Sequence, residues 1–259
     1  MAASGAQELQ GRVAIVTGAS SGIGRATAAL LCRRGARVLA VARDEVKLRA
    51  LSKETGAEIF AISLDNAAAC EAVVATARKL GPIAILVNNA GRGGHEDGPI
   101  FDQSSAEWRA TMAVNLDAPF ELTRLASRDM RDRRWGRIVM VSSTAGEVGA
   151  PAMSAYCASK HGLIGLMRSV AHDVAPYNCT CNAVLPGWVK TEMADRDAEK
   201  EAAKRGLTAA QVWKERADAY PAKRVLAPEE IAEVIGFLAS DAASGVNGEA
   251  MTVSLGSVW

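Results

Sequence analysis

Seven short apolar runs, set apart by longer stretches with helical periodicity, constrain this chain more than any other feature. The runs are Val13–Thr17, Val38–Ala42, Ile59–Ser63, Ile83–Asn88, Arg137–Ser142, Cys179–Leu185 and Ala250–Leu255. They are nearly continuous in apolar side chains rather than alternating, as strands buried on both faces are. Most of the intervals are long enough for a helix that crosses back over the sheet. Strand–helix–strand repetition of this kind predicts parallel strands joined by right-handed crossovers, with helices on both faces. No internal repeat, low-complexity tract or linker-like break interrupts it, so residues 1–259 read as a single domain.

One segment fits the alternation poorly. Gly187–Ala227 includes the charged stretch Asp195–Arg205 and reads as the least regular part of the chain. It ends where Pro228, followed by Glu229 and Glu230, marks a helix start. A connector of this length is expected to be a lid or a binding loop, here a lid-like insertion at about 187–227. The balance of 30 basic and 29 acidic residues leaves a net charge of +1. That argues against a general attraction to nucleic acid or to anionic membrane. No apolar run approaches the ~18 residues of a membrane span. The start of the chain lacks the basic and apolar regions of a signal peptide. The five cysteines include no Cys-x-x-Cys pair. Reduced thiols in a cytoplasmic protein are expected. The three histidines, His95, His161 and His172, show no metal-ligand spacing, so no metal site is expected.

Directly after the first run stands Thr17-Gly18-Ala19-Ser20-Ser21-Gly22-Ile23-Gly24, with a helix expected from about Arg25. Glycines at such a turn let backbone approach a pyrophosphate. The helix start adds free N–H groups and a partial positive charge. The G-x-x-x-G-x-G spacing differs from the usual G-x-G-x-x-G fingerprint. Its position between the first strand and the first helix is what gives it weight, and it points to a doubly wound Rossmann domain with a seven-stranded, mainly parallel sheet.

Further along, Tyr156 and Lys160 are four residues apart, and a helix over Ala155–Val174 would place both on one face. A phenol titrates near ~10, so at neutral pH it donates a proton readily but seldom accepts one. A neighbouring ammonium favours the phenolate and lowers that pKa, so the pair can act as acid for reduction and as base for oxidation.

These motifs, in order and at these distances, resemble the short-chain dehydrogenases/reductases along nearly the whole chain. Thr17–Gly24 is similar to the family's cofactor turn, with Gly18, Ser20, Ser21, Gly22, Ile23 and Gly24 expected at the dinucleotide. Asn88-Asn89-Ala90-Gly91 matches the segment after the fourth strand, and Pro186-Gly187-x-Val189-x-Thr191 the one that clasps the nicotinamide. The resemblance implies a catalytic set of Asn115, Ser143, Tyr156 and Lys160. Ser143 would hold the substrate oxygen and Asn115 would join a water chain to the lysine. On the residues alone, Asn115 could equally make a structural hydrogen bond inside an apolar helix. Ser142 would pack or hydrogen-bond near the cofactor.

Cofactor choice turns on the end of the second strand. A carboxylate there favours NAD and a cation favours NADP. The family's acidic position falls on Ala42, and Arg43 follows. Asp44 reads as the cap of the next helix. NADP(H) is therefore favoured over NAD(H). Arg43 could instead be a solvated cation paired with Asp44. Asp65 resembles the residue that contacts adenine, or is another helix cap.

The pocket walls are expected from Gly91–Gly98, Thr144–Met153 and the 187–227 insertion. Trp188, Met193, Val212, Trp213 and Tyr220 supply that insertion with apolar and aromatic side chains. Trp188 and Met193 are the expected substrate contacts. The expected reaction interconverts a ketone and a secondary alcohol, with a hydrophobic or ring-bearing carbonyl substrate, 3-oxoacyl or polyketide-like among them. Two other readings stay open: an NAD-dependent alcohol or sugar dehydrogenase, and a catalytically silent dinucleotide-binding sensor or scaffold. The basic run Arg128–Arg137 reads as a solvated helix end or as a docking site for an acyl carrier protein. The family commonly forms homo-oligomers, dimers or tetramers, through the helices around Asn115 and Tyr156.

Overall fold

The computed structural model describes residues 8–93 and 99–257. Seven strands are present: β1 (Val13–Thr17), β2 (Arg37–Ala42), β3 (Glu58–Ala61), β4 (Ile83–Asn88), β5 (Gly136–Val141), β6 (Cys179–Pro186) and β7 (Ala250–Val253). They form one sheet in the order β3-β2-β1-β4-β5-β6-β7, and every pairing is parallel. Each lies within two residues of a run identified in the sequence. β1, β4, β5 and β6 are buried throughout.

Successive strand residues face opposite sides, so one strand feeds two cores. Val13 and Ile15 of β1 join one apolar cluster, while Ala14 and Val16 join the other. The first cluster is closed by α3 (Ala67–Arg78), α5 (Ala118–Arg133) and α6 (Ser154–Val174). The second is closed by α1 (Gly22–Arg33), α2 (Glu45–Thr55) and α9 (Pro228–Leu238). Helix ends follow the sequence. The Asp44 side chain accepts from the Lys47 N–H, Asn66 caps α3, and Pro228 occupies the first turn of α9. α1 begins at Gly22, three residues earlier than expected.

α4 (Ser105–Met112) runs into α5 through one wide π turn, Ala113–Asp117, which contains Asn115. Pro119 explains why the turn is tolerated: it has no N–H to give the Asn115 carbonyl four residues back.

The segment 187–227 is more regular than its sequence suggests. It holds α7 (Glu192–Arg205) and α8 (Ala209–Asp218). Thr191 caps α7, which ends at Gly206 in the left-handed conformation. Thr208 and Gln211 form a reciprocal capping box on α8. Among the described residues, no helix is long and apolar enough to cross a membrane.

Candidate active site

The sheet order reverses between β1 and β4. A cleft of about 1160 Å³ opens there, at the carboxyl ends of the strands. It is lined by Gly18, Ser20, Ser21, Gly22 and Ile23 after β1, and by Arg43 after β2. Asp65 lines it beyond β3, Asn89, Ala90 and Gly91 after β4, and Ser143 after β5. Tyr156 and Lys160 reach it from α6, and Pro186, Gly187, Trp188, Val189, Thr191 and Met193 from the end of β6 onward. Two expected site residues, Gly24 and Asn115, do not line the cleft but lie behind its wall.

The glycine turn is built for close backbone approach. Gly18 has φ +68°, and a Cβ there would sit 2.7 Å from Asn89 Nδ2. A Cβ on Gly24 would sit 2.3 Å from the Gly18 carbonyl oxygen. The turn is stitched to β4: Thr17 Oγ1 accepts from the N–H groups of Asn89 and Ala90, both at 2.9 Å, and Asn89 Nδ2 donates to the Thr17 carbonyl. Ser21 makes no side-chain cap and the first turn of α1 carries no acid. The amides at this helix start are thus free to meet an anion such as a pyrophosphate.

At the end of β2, Arg43 is exposed on the cleft and makes no ion pair with any described residue. Asp44 is occupied as the α2 cap, so the alternative of an Arg43–Asp44 pair is not realised. Asp65 is not a helix cap, because Asn66 takes that role and donates its own side-chain amide to Asp65. Lys47, unnoticed in the sequence, also lines the cleft and pairs with Glu192 at the start of α7.

Tyr156, Ser143 and Lys160 converge on the same cleft as the glycine turn. The Ser143 side chain is near enough to the Tyr156 hydroxyl to pull its pKa down. Lys160 Nζ stands 5.6 Å from the Tyr156 ring centre and donates to the Val141 carbonyl at 2.9 Å. Lys160 is buried, and burial pushes its ammonium down to about 8. Lys160 is not among the groups that shift Tyr156, so the expected lowering is not seen. Burial holds the phenol above its ordinary value, nearby Ser143 only partly offsets this, and the Asp197 charge adds to it. The ammonium's hydrogen bond goes to the Val141 carbonyl. Adjacent Ser142 faces the other way: its hydroxyl donates to the Lys160 carbonyl at 3.0 Å and ties α6 to β5.

Asn115 is satisfied by protein groups. Its Oδ1 accepts from the Arg92 N–H at 2.8 Å, and its Nδ2 donates to the Arg92 carbonyl and to Ser159 Oγ. It still lies close to the lysine. A Cβ on Gly91 would be 3.5 Å from Asn115 Oδ1 and 3.6 Å from Lys160 Nζ.

Of the apolar residues expected at the pocket, Trp188 and Met193 line it. Val212 and Tyr220 are buried within the α7–α8 segment, and Trp213 packs on the cluster that holds Val212. The basic run was expected to be a solvated helix end, and Arg137 corrects this. Lying in β5, it is 1% exposed, donates to the Ser240 and Gly136 carbonyls, and stacks on Trp135. The expected wall Gly94–Gly98 and His95 lie outside the described residues.

Comparison with known proteins fits this geometry. The short chain dehydrogenase family model matches residues 12–202. The chain belongs to the short-chain dehydrogenase family. A Streptomyces virginiae protein, named as the putative ketoacyl reductase of the monensin polyketide synthase, is 39% identical over 251 residues. The match spans 93% of this chain and 95% of that one. A 3-oxoacyl-acyl-carrier-protein reductase of Vibrio cholerae is 38% identical, with 96% and 98% covered. Among solved structures, a single-residue variant of the actinorhodin polyketide ketoreductase with NADPH superposes with a TM-score of 0.91 at 33% identity, covering 98% of this chain and all of that one.

Proposed function

We propose that this short-chain dehydrogenase is an NADP(H)-dependent ketoreductase that converts a hydrophobic or ring-bearing ketone to a secondary alcohol. The observation that carries the reading is the convergence of Ser143, Tyr156 and buried Lys160 on the same cleft as the glycine turn. The names of the relatives, each a ketone reductase, support it.

The dinucleotide, when bound, supplies the hydride that reaches the carbonyl carbon. The glycine turn and the free amides of α1 fit its pyrophosphate. Arg43 fits a 2′-phosphate, to which its planar guanidinium can fork. Thr191, Val189 and the Pro186–Gly187 backbone would hold the nicotinamide end.

Ser143 donates to the substrate oxygen and orients it. Tyr156 gives its proton to that oxygen as the alkoxide forms. A phenol held above its ordinary pKa carries the proton at neutral pH, which suits the acid role in reduction. Lys160 is the nearest cation and stabilises the resulting phenolate. Asn115 fixes the backbone at Arg92, beside Lys160, and so shapes the route by which the tyrosine is reprotonated. Trp188 and Met193 supply the apolar wall for the body of the substrate.

The relatives' names extend the substrate class to carrier-bound 3-oxoacyl chains, and the exposed Arg128 and Arg131 would face an acidic carrier protein. Exposed Trp108 and Phe120, at 40% and 46%, support self-association through α4 and α5. The free cysteines suit the reducing cytoplasm. The test is a panel of ketones with NADPH and with NADH. Reduction of ring ketones with a strong NADPH preference is expected. Oxidation of simple sugars or alcohols with NAD, and no ketone reduction, would overturn the reading.

A further inference from the structure

Behind the pocket wall lies a charge that the proposed reaction does not use. Arg216, on α8, is 6% exposed. Its guanidinium carbon stands 3.7 Å from the centre of the Trp188 ring and 5.0 Å from that of Trp213. The two indoles meet edge to face, 6.5 Å apart. Nη2 of the arginine donates to Glu201 on α7 at 2.9 Å, and Nη1 donates to the Ala194 carbonyl. Its Nε is buried and has no partner among the described residues. Burial works against the Glu201 charge, yet hydrogen bonds from Arg205 and Arg216 hold that carboxyl below its ordinary value.

Burying a charged arginine with one N–H unsatisfied is costly, so an apolar residue there would be at least as good for packing alone. What arginine adds is a flat cationic face against an indole. That indole belongs to Trp188, which lines the cleft. α8 and the turn after it also hold the Trp188 backbone, since its N–H donates to the buried Tyr220 hydroxyl. Side chain and main chain of Trp188 are thus fixed by α8 and the turn that follows it.

We infer that Arg216 is a positioning residue for substrate selection, clamping the Trp188 indole so that the pocket's aromatic wall is formed before substrate arrives. This rests on the ketoreductase reading. The wall favours ring-bearing ketones because a fixed indole meets a flat apolar body without a further loss of side-chain freedom on binding. A short acyclic ketone touches less of it. Arg216 has no contact with the reacting atoms, so its loss raises KM for bulky substrates and leaves the chemical step alone.

The experiment compares Arg216→Met, Arg216→Lys and Glu201→Gln with wild type. The ketones are 2-tetralone and 2-pentanone, with NADPH. Arg216→Met and Arg216→Lys should each raise KM for 2-tetralone about tenfold, leave kcat within about twofold, and leave KM for 2-pentanone within about twofold. Glu201→Gln retains the arginine, guards against misfolding of the Arg216 variants, and should show a weaker shift of the same kind. A second readout needs no turnover: acrylamide quenching of tryptophan fluorescence, with the Trp188 share obtained by difference from Trp188→Phe. Loosening of Trp188 in Arg216→Met should at least double that share. Equal KM changes for both ketones, or unchanged Trp188 quenching, would overturn the inference. If wild type reduces no ketone, the ketoreductase reading fails, while the quenching comparison still decides whether Arg216 holds Trp188.

Discussion

Replacing Lys160 with methionine should stabilise the cofactor-free protein at neutral pH while removing its turnover. The side chain is 4% exposed and its ammonium is pushed down from 10.5 to about 8 by burial. Below about 8 both folded and unfolded chains carry the proton, and the full cost of burying the charge is present. Between about 8 and 10.5 the unfolded chain binds the proton and the folded one does not, so stability rises with pH across that window. A pKa lowered from 10.5 to about 8 corresponds to roughly 3 kcal/mol at pH 7. Methionine has similar length and no charge, but loses the hydrogen bond to the Val141 carbonyl, which offsets about 1 kcal/mol. The expected net gain is about 1–2 kcal/mol at pH 7, or a Tm higher by roughly 2–6 °C. It should vanish toward pH 10.5, where the wild-type lysine is neutral in the fold. Thermal unfolding of both proteins, without cofactor, from pH 6.5 to 10.5 measures this. A lower Tm for the variant at pH 7, or a difference that stays flat with pH, would refute the reasoning.

Arg43→Ala should weaken NADPH binding about tenfold or more while leaving NADH within twofold; equal losses for both would remove the 2′-phosphate assignment. Gly24→Ala should weaken both dinucleotides at least about tenfold in fluorescence titration, because the new methyl lies 2.3 Å from the Gly18 carbonyl oxygen and must displace the turn. Arg137→Ala should destabilise the fold by roughly 2–4 kcal/mol in chemical denaturation, since it strips the Ser240 and Gly136 carbonyls of a buried donor and leaves a cavity.

The strands and their parallel direction were legible because both-face burial leaves continuous apolar runs, and because the crossover rule fixes hand and direction. The site was legible for a related reason: Gly18, Tyr156 and Lys160 sit at element ends or on one helix face, where sequence spacing translates directly into geometry. α7 and α8 were missed although Thr191, Gly206 and the Thr208–Gln211 pair announce their ends. The charged run Asp195–Arg205 hid the periodicity, since only Ala194, Ala198 and Ala202 face inward from α7. Arg137 was misread because its neighbours are solvated arginines, and burial of a cation depends on acceptors from Ser240 and Asp241, about a hundred residues later. The direction of the Tyr156 shift was also beyond reach, because it depends on burial of the phenol rather than on its spacing from Lys160.

The central claim is that the Tyr156 hydroxyl delivers the proton, and Tyr156→Phe removes that one atom. With NADPH and a ring ketone, kcat should fall by about 100- to 10,000-fold, with NADPH affinity within about twofold of wild type. A Tyr156→Phe protein that kept a third or more of wild-type turnover would contradict the account.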